Sequence, residues 1–193
     1  MARYRSNSWR SFEPAATASV SVRRAAPKVA RCRVLGLDPG SRQTGFGIIE
    51  VDGLNIRHVG HGCISVAGDE FSQRLRRIHE RVRQIIAEFA PDEVAVERVF
   101  MSRNPDSALK LGQARGAAIS AVAAHLTVFE YAPRAVKLAT VGFGAAEKSQ
   151  VSHMIGRMLA IREPLSVDAA DALAIAICHA NARRMAQWVE AVS

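Results

Sequence analysis

From Glu70 to Ala90, apolar residues recur at Phe71, Leu75, Ile78, Val82, Ile85 and Phe89, in alternating steps of four and three, with Arg74, Arg77 and Arg81 between them. That period predicts an amphipathic helix, which Pro91 stops. Upstream the pattern is that of strands. Arg33 to Leu37 is a short, apolar, β-leaning run that closes on Asp38-Pro39-Gly40, a turn signal. Thr44 to Val51 and Asn55 to Val66 are further strand-like runs joined through Asp52-Gly53, a hairpin signal, so the domain opens as a three-stranded antiparallel meander.

Beyond the first helix, Glu93 to Val96 predicts a fourth strand ending at Glu97, and Ser107 to Leu126 a helix rich in small residues. Thr127 to Tyr131 predicts a fifth strand, followed by short helical segments, one of them Glu147 to Ile161, and a last helix from Val167 to Arg184. The order β-β-β-α-β-α-β-α-α implies an α/β fold, a mixed five-stranded sheet with helices on both faces. The boundaries expected are a basic, disordered extension over 1–30, a folded domain over 31–184 and a tail over 185–193.

Length and composition agree with one globular domain: 193 residues, 49% hydrophobic and 23% charged. The longest mostly apolar stretch without a charge, Gly116 to Phe129, is broken by Ser120 and His125 and falls short of the ~20 residues that span a bilayer. Cys32, Cys63 and Cys178 form no CxxC pair, which predicts neither a disulfide framework nor a zinc ribbon. A soluble, cytoplasmic protein with no membrane partner is the expectation. His58 and His61 lie three apart in a predicted strand, an offset that places them on opposite faces and argues against a shared metal.

The formal charge of +8 is unevenly spread. Residues 1–33 hold eight Lys/Arg and one acid, 34–97 seven against ten, 98–148 seven against three, and 149–193 four against four. The N-terminal stretch lacks apolar periodicity and is rich in Ala, Ser and Arg, so it reads as a nucleic-acid arm, a transit-like peptide, or sequence upstream of the true start. In the body, an acidic first part and a basic middle fit carboxylates that hold metal beside a surface that holds phosphate.

Four acids stand where the topology brings elements together. Asp38 closes the first strand, Glu97 closes the fourth, and Asp168 and Asp171 share one face at the start of the last helix. Asp171 heads a face otherwise apolar through Leu173, Ala174, Ile175, Ile177 and Cys178, where a solvating role is out of place. Singly, each acid has a plainer explanation: a turn, a strand end, or for Asp168 a helix N-cap. Together, such hard oxygen donors suit Mg²⁺, and two ions about 3.5–4 Å apart can clamp a phosphoryl transfer. The implied chemistry is phosphodiester hydrolysis.

The strings LGLDPGSRQTGFG, AVERVFM, SALKLGQARGAA, VFEYAPRAVK, GAAEKSQVSHM and DAADALAIAICH, running from Arg33 to His179, resemble successive motifs of the RuvC family of Holliday junction resolvases. The resemblance implies a ribonuclease-H-like fold and a homodimer. It implies Mg²⁺-dependent paired nicking of four-way DNA junctions in recombination and repair, with two ions per subunit and Mn²⁺ as a substitute. The cuts would leave 5′-phosphate and 3′-hydroxyl ends, and the RuvA and RuvB branch-migration proteins would be partners. By motif position the catalytic and metal-holding acids are Asp38, Glu97, Asp168 and Asp171. The DNA-binding set is Phe100, which would stack on an unpaired base, with Arg103, Lys110, Arg115, Lys137 and Lys148.

Two other readings compete. LGLDPGSRQTG can serve as the phosphate loop of an actin-like ATPase, although the chain is short for the two domains that architecture needs. A catalytically dead junction-binding module is the second, disfavoured by intact acids at all four positions.

Overall fold

The structure, a computed structural model, describes residues 31–98, 104–122 and 125–193. The predicted element order is present: β1 Cys32–Asp38, β2 Gln43–Asp52, β3 Asn55–Ser65, α1 Phe71–Phe89, β4 Glu93–Glu97, α2 Pro105–Ser120, β5 Thr127–Tyr131, α3 Pro133–Val141, α4 Lys148–Met158 and α5 Val167–Val192. The five strands form one mixed sheet in the order β3-β2-β1-β4-β5. β1 runs antiparallel to β2 and parallel to β4, and β5 runs parallel to β4.

Strand alternation sends side chains into two cores. On one face Val34 and Ala95 pack with α3, α4 and α5; on the other Leu35, Leu37, Val94 and Val96 pack with α1 and α2. Being covered twice, β1 and β4 need apolar residues at nearly every position, which is why they read as continuous runs. α1 turns Ile78, Val82 and Ile85 to this second core, as its period requires, and ends where Ala90 adopts a left-handed conformation at φ 43° before Pro91. No helix among the described residues is long and apolar enough to cross a membrane.

Four local differences from the sequence-based expectations have physical causes. α2 starts two residues earlier, because Asn104 Oδ1 accepts the backbone N–H groups of Asp106 and Ser107 and Pro105 fits the first turn. It stops at Ser120, whose hydroxyl donates to the Ala117 carbonyl, rather than continuing to residue 126. α5 continues past Arg184 to Val192, so residues 185–192 are helix and not a tail; nothing between Met185 and Val192 breaks a helix.

The fourth difference corrects the histidine pair. The β2–β3 register slips between Ile48, opposite Gly60, and Ile49, opposite His58, so Val59 is an extra residue in β3. This bulge cancels the odd offset and brings His58 and His61 together, Nε2 to Nδ1 at 2.9 Å.

Two polar clusters fasten the sheet away from its β1 and β4 C-terminal ends. His179, buried on α5, donates from Nε2 to Glu93 Oε2 at 2.6 Å and accepts the Tyr131 hydroxyl at Nδ1 at 2.7 Å, joining α5 to β4 and β5. Burial lowers the affinity of this imidazole for a second proton, in keeping with a neutral ring. Glu50, with only 8% of its side chain exposed, meets Arg31 at 2.7 Å, Arg57 at 2.9 Å and Arg33 at 3.3 Å. The hydrogen bonds from Arg31 and Arg57 carry its carboxyl down from the ordinary 4.5 to about 2.

A carboxylate depressed in the folded state contributes stability above its unfolded pKa and loses it as pH falls through the folded value. In urea titrations Glu50→Gln should therefore be less stable than wild type by a constant amount above pH 4.5. The gap should close between pH 4.5 and about 2. A gap independent of pH over that window would remove the charge from the explanation.

Candidate active site

The parallel register of β1 and β4 pairs Leu37 with Val96, which leaves the next residues, Asp38 and Glu97, at adjacent strand ends. In open α/β sheets such carboxyl ends are where crevices form. α5 crosses this sheet at very short range. A Cβ on Gly45 would overlap the Asp168 carbonyl oxygen, and one on Gly36 would overlap that of Ala172. Glycine is needed at both positions for backbone to meet backbone, and the contact fixes the first turns of α5 over the end of β1.

Asp38, Glu97 and Asp171 consequently line one cavity of about 260 Å³, shared with Lys137 and Lys148 and floored by Val136 and Val151. Lys148, the first residue of α4, reaches Asp171 Oδ2 with Nζ at 2.9 Å. Burial is the main force that pushes the Asp38 carboxyl up to about 7, reinforced by Glu97 and Asp171 and opposed by Lys148. Glu97 moves in the same direction, by burial and then by Asp171. Lys148 is held more firmly protonated by its bond to Asp171.

Asp168 stands one turn before Asp171 and faces a neighbouring hollow with Gly40, Ser41, Arg42 and Ser107, close enough to Asp38 and Lys148 to act on both charges. The N-cap of α5 is Ser166, whose hydroxyl accepts the Ala169 N–H at 3.3 Å. The capping explanation for Asp168 is thereby set aside. Among the described residues no three His, Cys, Asp or Glu side chains are arranged to ligate an ion unaided.

The basic residues divide. Lys137 and Lys148 are at the cavity. Lys110 lies on exposed α2, bound to Asp106 at 2.7 Å. Arg115 donates to the Glu97 carbonyl at 3.3 Å and to Glu130 at 2.5 Å, so it braces the end of β4 against β5. Phe100 and Arg103 lie outside the described residues. Sequence reasoning missed Arg42, beside Asp168, and the pair His153 and Arg157 on α4; the latter had a signal in its four-residue step.

Comparison with known proteins decides the family. The profile of the family described as Crossover junction endodeoxyribonuclease RuvC matches residues 34–179. The chain belongs to the RuvC family. A RuvC of Methylococcus capsulatus is 56% identical over 153 residues, 79% of this chain and 92% of the relative, and one of Vibrio cholerae is 53% identical over 152 residues, 78% and 88%. The solved structure of Thermus thermophilus RuvC in complex with Holliday junction substrate superposes with a TM-score of 0.75 at 36% identity, covering 81% of this chain and 97% of that one. The yeast mitochondrial Holliday junction resolvase Ydc2, at 15% identity, shares the fold with a TM-score of 0.58. The fold is accordingly ribonuclease-H-like, and this RuvC-family chain is an endodeoxyribonuclease.

Crowded acids oppose folding once ionised. Because the folded pKa of Asp38 lies near 7 against an ordinary 3.8, the metal-free protein should lose stability as pH rises from about 4 through 7. In chelator at pH 8, Asp38→Asn should be more stable than wild type by roughly 2–4 kcal/mol, with the difference gone below pH 4. Equal urea midpoints at pH 8 would mean that the carboxylate is relieved by groups other than those at this cavity.

Proposed function

We propose that this chain resolves four-way DNA junctions by hydrolysing one phosphodiester bond in each of two opposed strands. The observation that carries it is the convergence of Asp38, Glu97 and Asp171 with Lys137 and Lys148 around one cavity. The relatives' shared name, and the junction bound by the Thermus thermophilus protein, favour this substrate over other nucleic acids.

The donor set fits a divalent cation. Its oxygens are hard, and mutual repulsion among the carboxylates marks a site short of positive charge. Mg²⁺ takes few carboxylates and completes its shell with water and phosphate. Asp38, Glu97, Asp168 and Asp171 would hold it, two ions per subunit with Mn²⁺ as a substitute; when bound it supplies Lewis acidity at the phosphate. Lys137 and Lys148 neutralise the phosphate that enters, while Arg115 keeps the Glu97 backbone in place. Phe100 follows Glu97 closely in sequence and is assigned to the junction crossover, and Arg103 to the DNA phosphates.

Asp38→Asn, Glu97→Gln and Asp171→Asn should each cut Mg²⁺-dependent cleavage of a synthetic junction by roughly a hundredfold or more, leaving folding and junction binding intact. Wild type should give symmetric nicks with 5′-phosphate ends. Near-wild-type rates in any of the three would sink the reading, while normal rates in Asp168→Asn alone would reduce the site to three acids.

Paired cuts call for two sites related by a two-fold axis. α2 packs Ala114 and Ala118 inward and leaves Leu109, Gly112, Gln113 and Gly116 exposed; a Cβ on either glycine would meet nothing within 4 Å. Packing against the sheet therefore does not account for these glycines, and a second copy of the chain would. Gly116→Leu, which has room for its side chain, should stay soluble and sediment as a monomer at micromolar concentration, where wild type is a dimer. A monomeric wild type would count against paired cleavage. RuvA and RuvB are the expected partners of such a dimer on branched DNA.

A further inference from the structure

α4 ends in a turn that folds the following loop back on it. Ala160 adopts a left-handed conformation at φ 52°, the Ile161 N–H donates to the Gly156 carbonyl at 2.9 Å, and the Ala160 N–H donates to the Arg157 carbonyl at 3.4 Å. This is a Schellman closure with alanine where glycine is usual. Between α4, this loop and the start of α5 lies an open groove of about 820 Å³. Lys148 lines both this groove and the carboxylate cavity, so the two are neighbours across one side chain.

The groove carries basic side chains that the scaffold does not use. His153, Arg157 and Arg162 are exposed, and among the described residues none of them has an ion-pair partner. By contrast Arg76, Arg77 and Arg115 are all paired with acids. Glu163 is the single acid among the described residues of the lining, and Ser149 and Ser152 add hydroxyl donors. An open channel with unpaired cations at its rim and a nuclease cavity at one end suits a polyanion laid along it.

We infer that the cleaved DNA strand leaves the carboxylate cavity along α4, its backbone phosphates held by His153, Arg157 and Arg162. This rests on the junction-nuclease reading above and extends it to a phosphate-binding track outside the site. From Lys148 to Arg157 the helix rises about 13 Å, which is about four nucleotides of rise along a duplex axis and fewer along the longer path of the strand itself. Lys148 meets the phosphate next to the cut, and Arg157 and Arg162 meet phosphates about two to four nucleotides away.

The test uses the full chain and a synthetic four-way junction carrying neutral methylphosphonates at single positions on either side of the cut. Wild type should lose several-fold in affinity when the neutral position lies about two to four nucleotides from the cut on one side. Arg157→Gln with Arg162→Gln should weaken junction binding, lower the slope of log affinity against log salt by about 2, and no longer respond to those methylphosphonates. Arg157→Lys with Arg162→Lys should restore most of the slope. Arg81→Gln with Arg83→Gln, on the far α1 surface, should change nothing. A double glutamine variant with wild-type affinity and slope, or one still sensitive to the same methylphosphonates, overturns the groove alone. A wild type that binds no junction overturns the resolvase reading and the groove with it.

Discussion

The contact between α5 and the strands β1 and β2 is backbone against backbone, and the positions of Asp168 and Asp171 follow from it. Gly36 and Gly45 present no Cβ, so the carbonyls of Ala172 and Asp168 can sit directly on the sheet. The helix answers with small residues: Ala169, Ala170, Ala172, Ala174 and Ala176 are all buried. Only a helix apolar on nearly every side can be enclosed in this way. Asp171, left partly open to solvent in the middle of that run, is then aimed at the ends of β1 and β4 by the packing itself. His179, two turns further on, locks the same helix to Glu93 at the opposite end of β4 from Glu97.

That rigidity has an electrostatic consequence. Asp38 and Glu97 are held together by strand register and cannot move apart without breaking the sheet, and Asp171 cannot retreat without lifting α5. Burial and mutual repulsion therefore raise their proton affinities, and the lysines at the cavity offset only part of it. The scaffold keeps in place a cluster of charges that would disperse if free. Such stored repulsion is the usual cost of a cation-binding site, and here the two hydrophobic cores on either face of the sheet bear it.

What the sequence made legible was whatever depends on one segment at a time. The four-three steps of α1, the apolar runs of β1 and β4, and the Asp-Gly turn between β2 and β3 each carry their own period, and each appears where expected. The three cavity acids were found because Asp38 and Glu97 end strands and Asp171 interrupts an apolar face. What was missed depends on two segments. The bulge that joins His58 to His61 exists only in the pairing of β2 with β3, so the alternation of β3 alone misplaces them. Ser166 takes the cap that Asp168 could have held, a choice set by where α5 begins. The brace from Arg115 to Glu97 and Glu130 crosses three elements and leaves no local pattern.

Charge shows the same difficulty in its sharpest form. By count, residues 98–148 are the basic segment and 149–193 are neutral. In the fold, Arg98 and Arg115 are spent on Glu130 and Lys110 on Asp106, so much of the apparent excess in the first segment is internal. The neutral segment balances its acids differently: Asp168 and Asp171 turn toward the site, while Arg157 and Arg162 stand unpaired on the groove beside it. A polyanion responds to the cations left without partners and to their nearness to the reacting site, not to net charge along the chain. The surface best suited to a phosphate backbone thus arises from a stretch that averages to zero, because folding sends its two signs to different places.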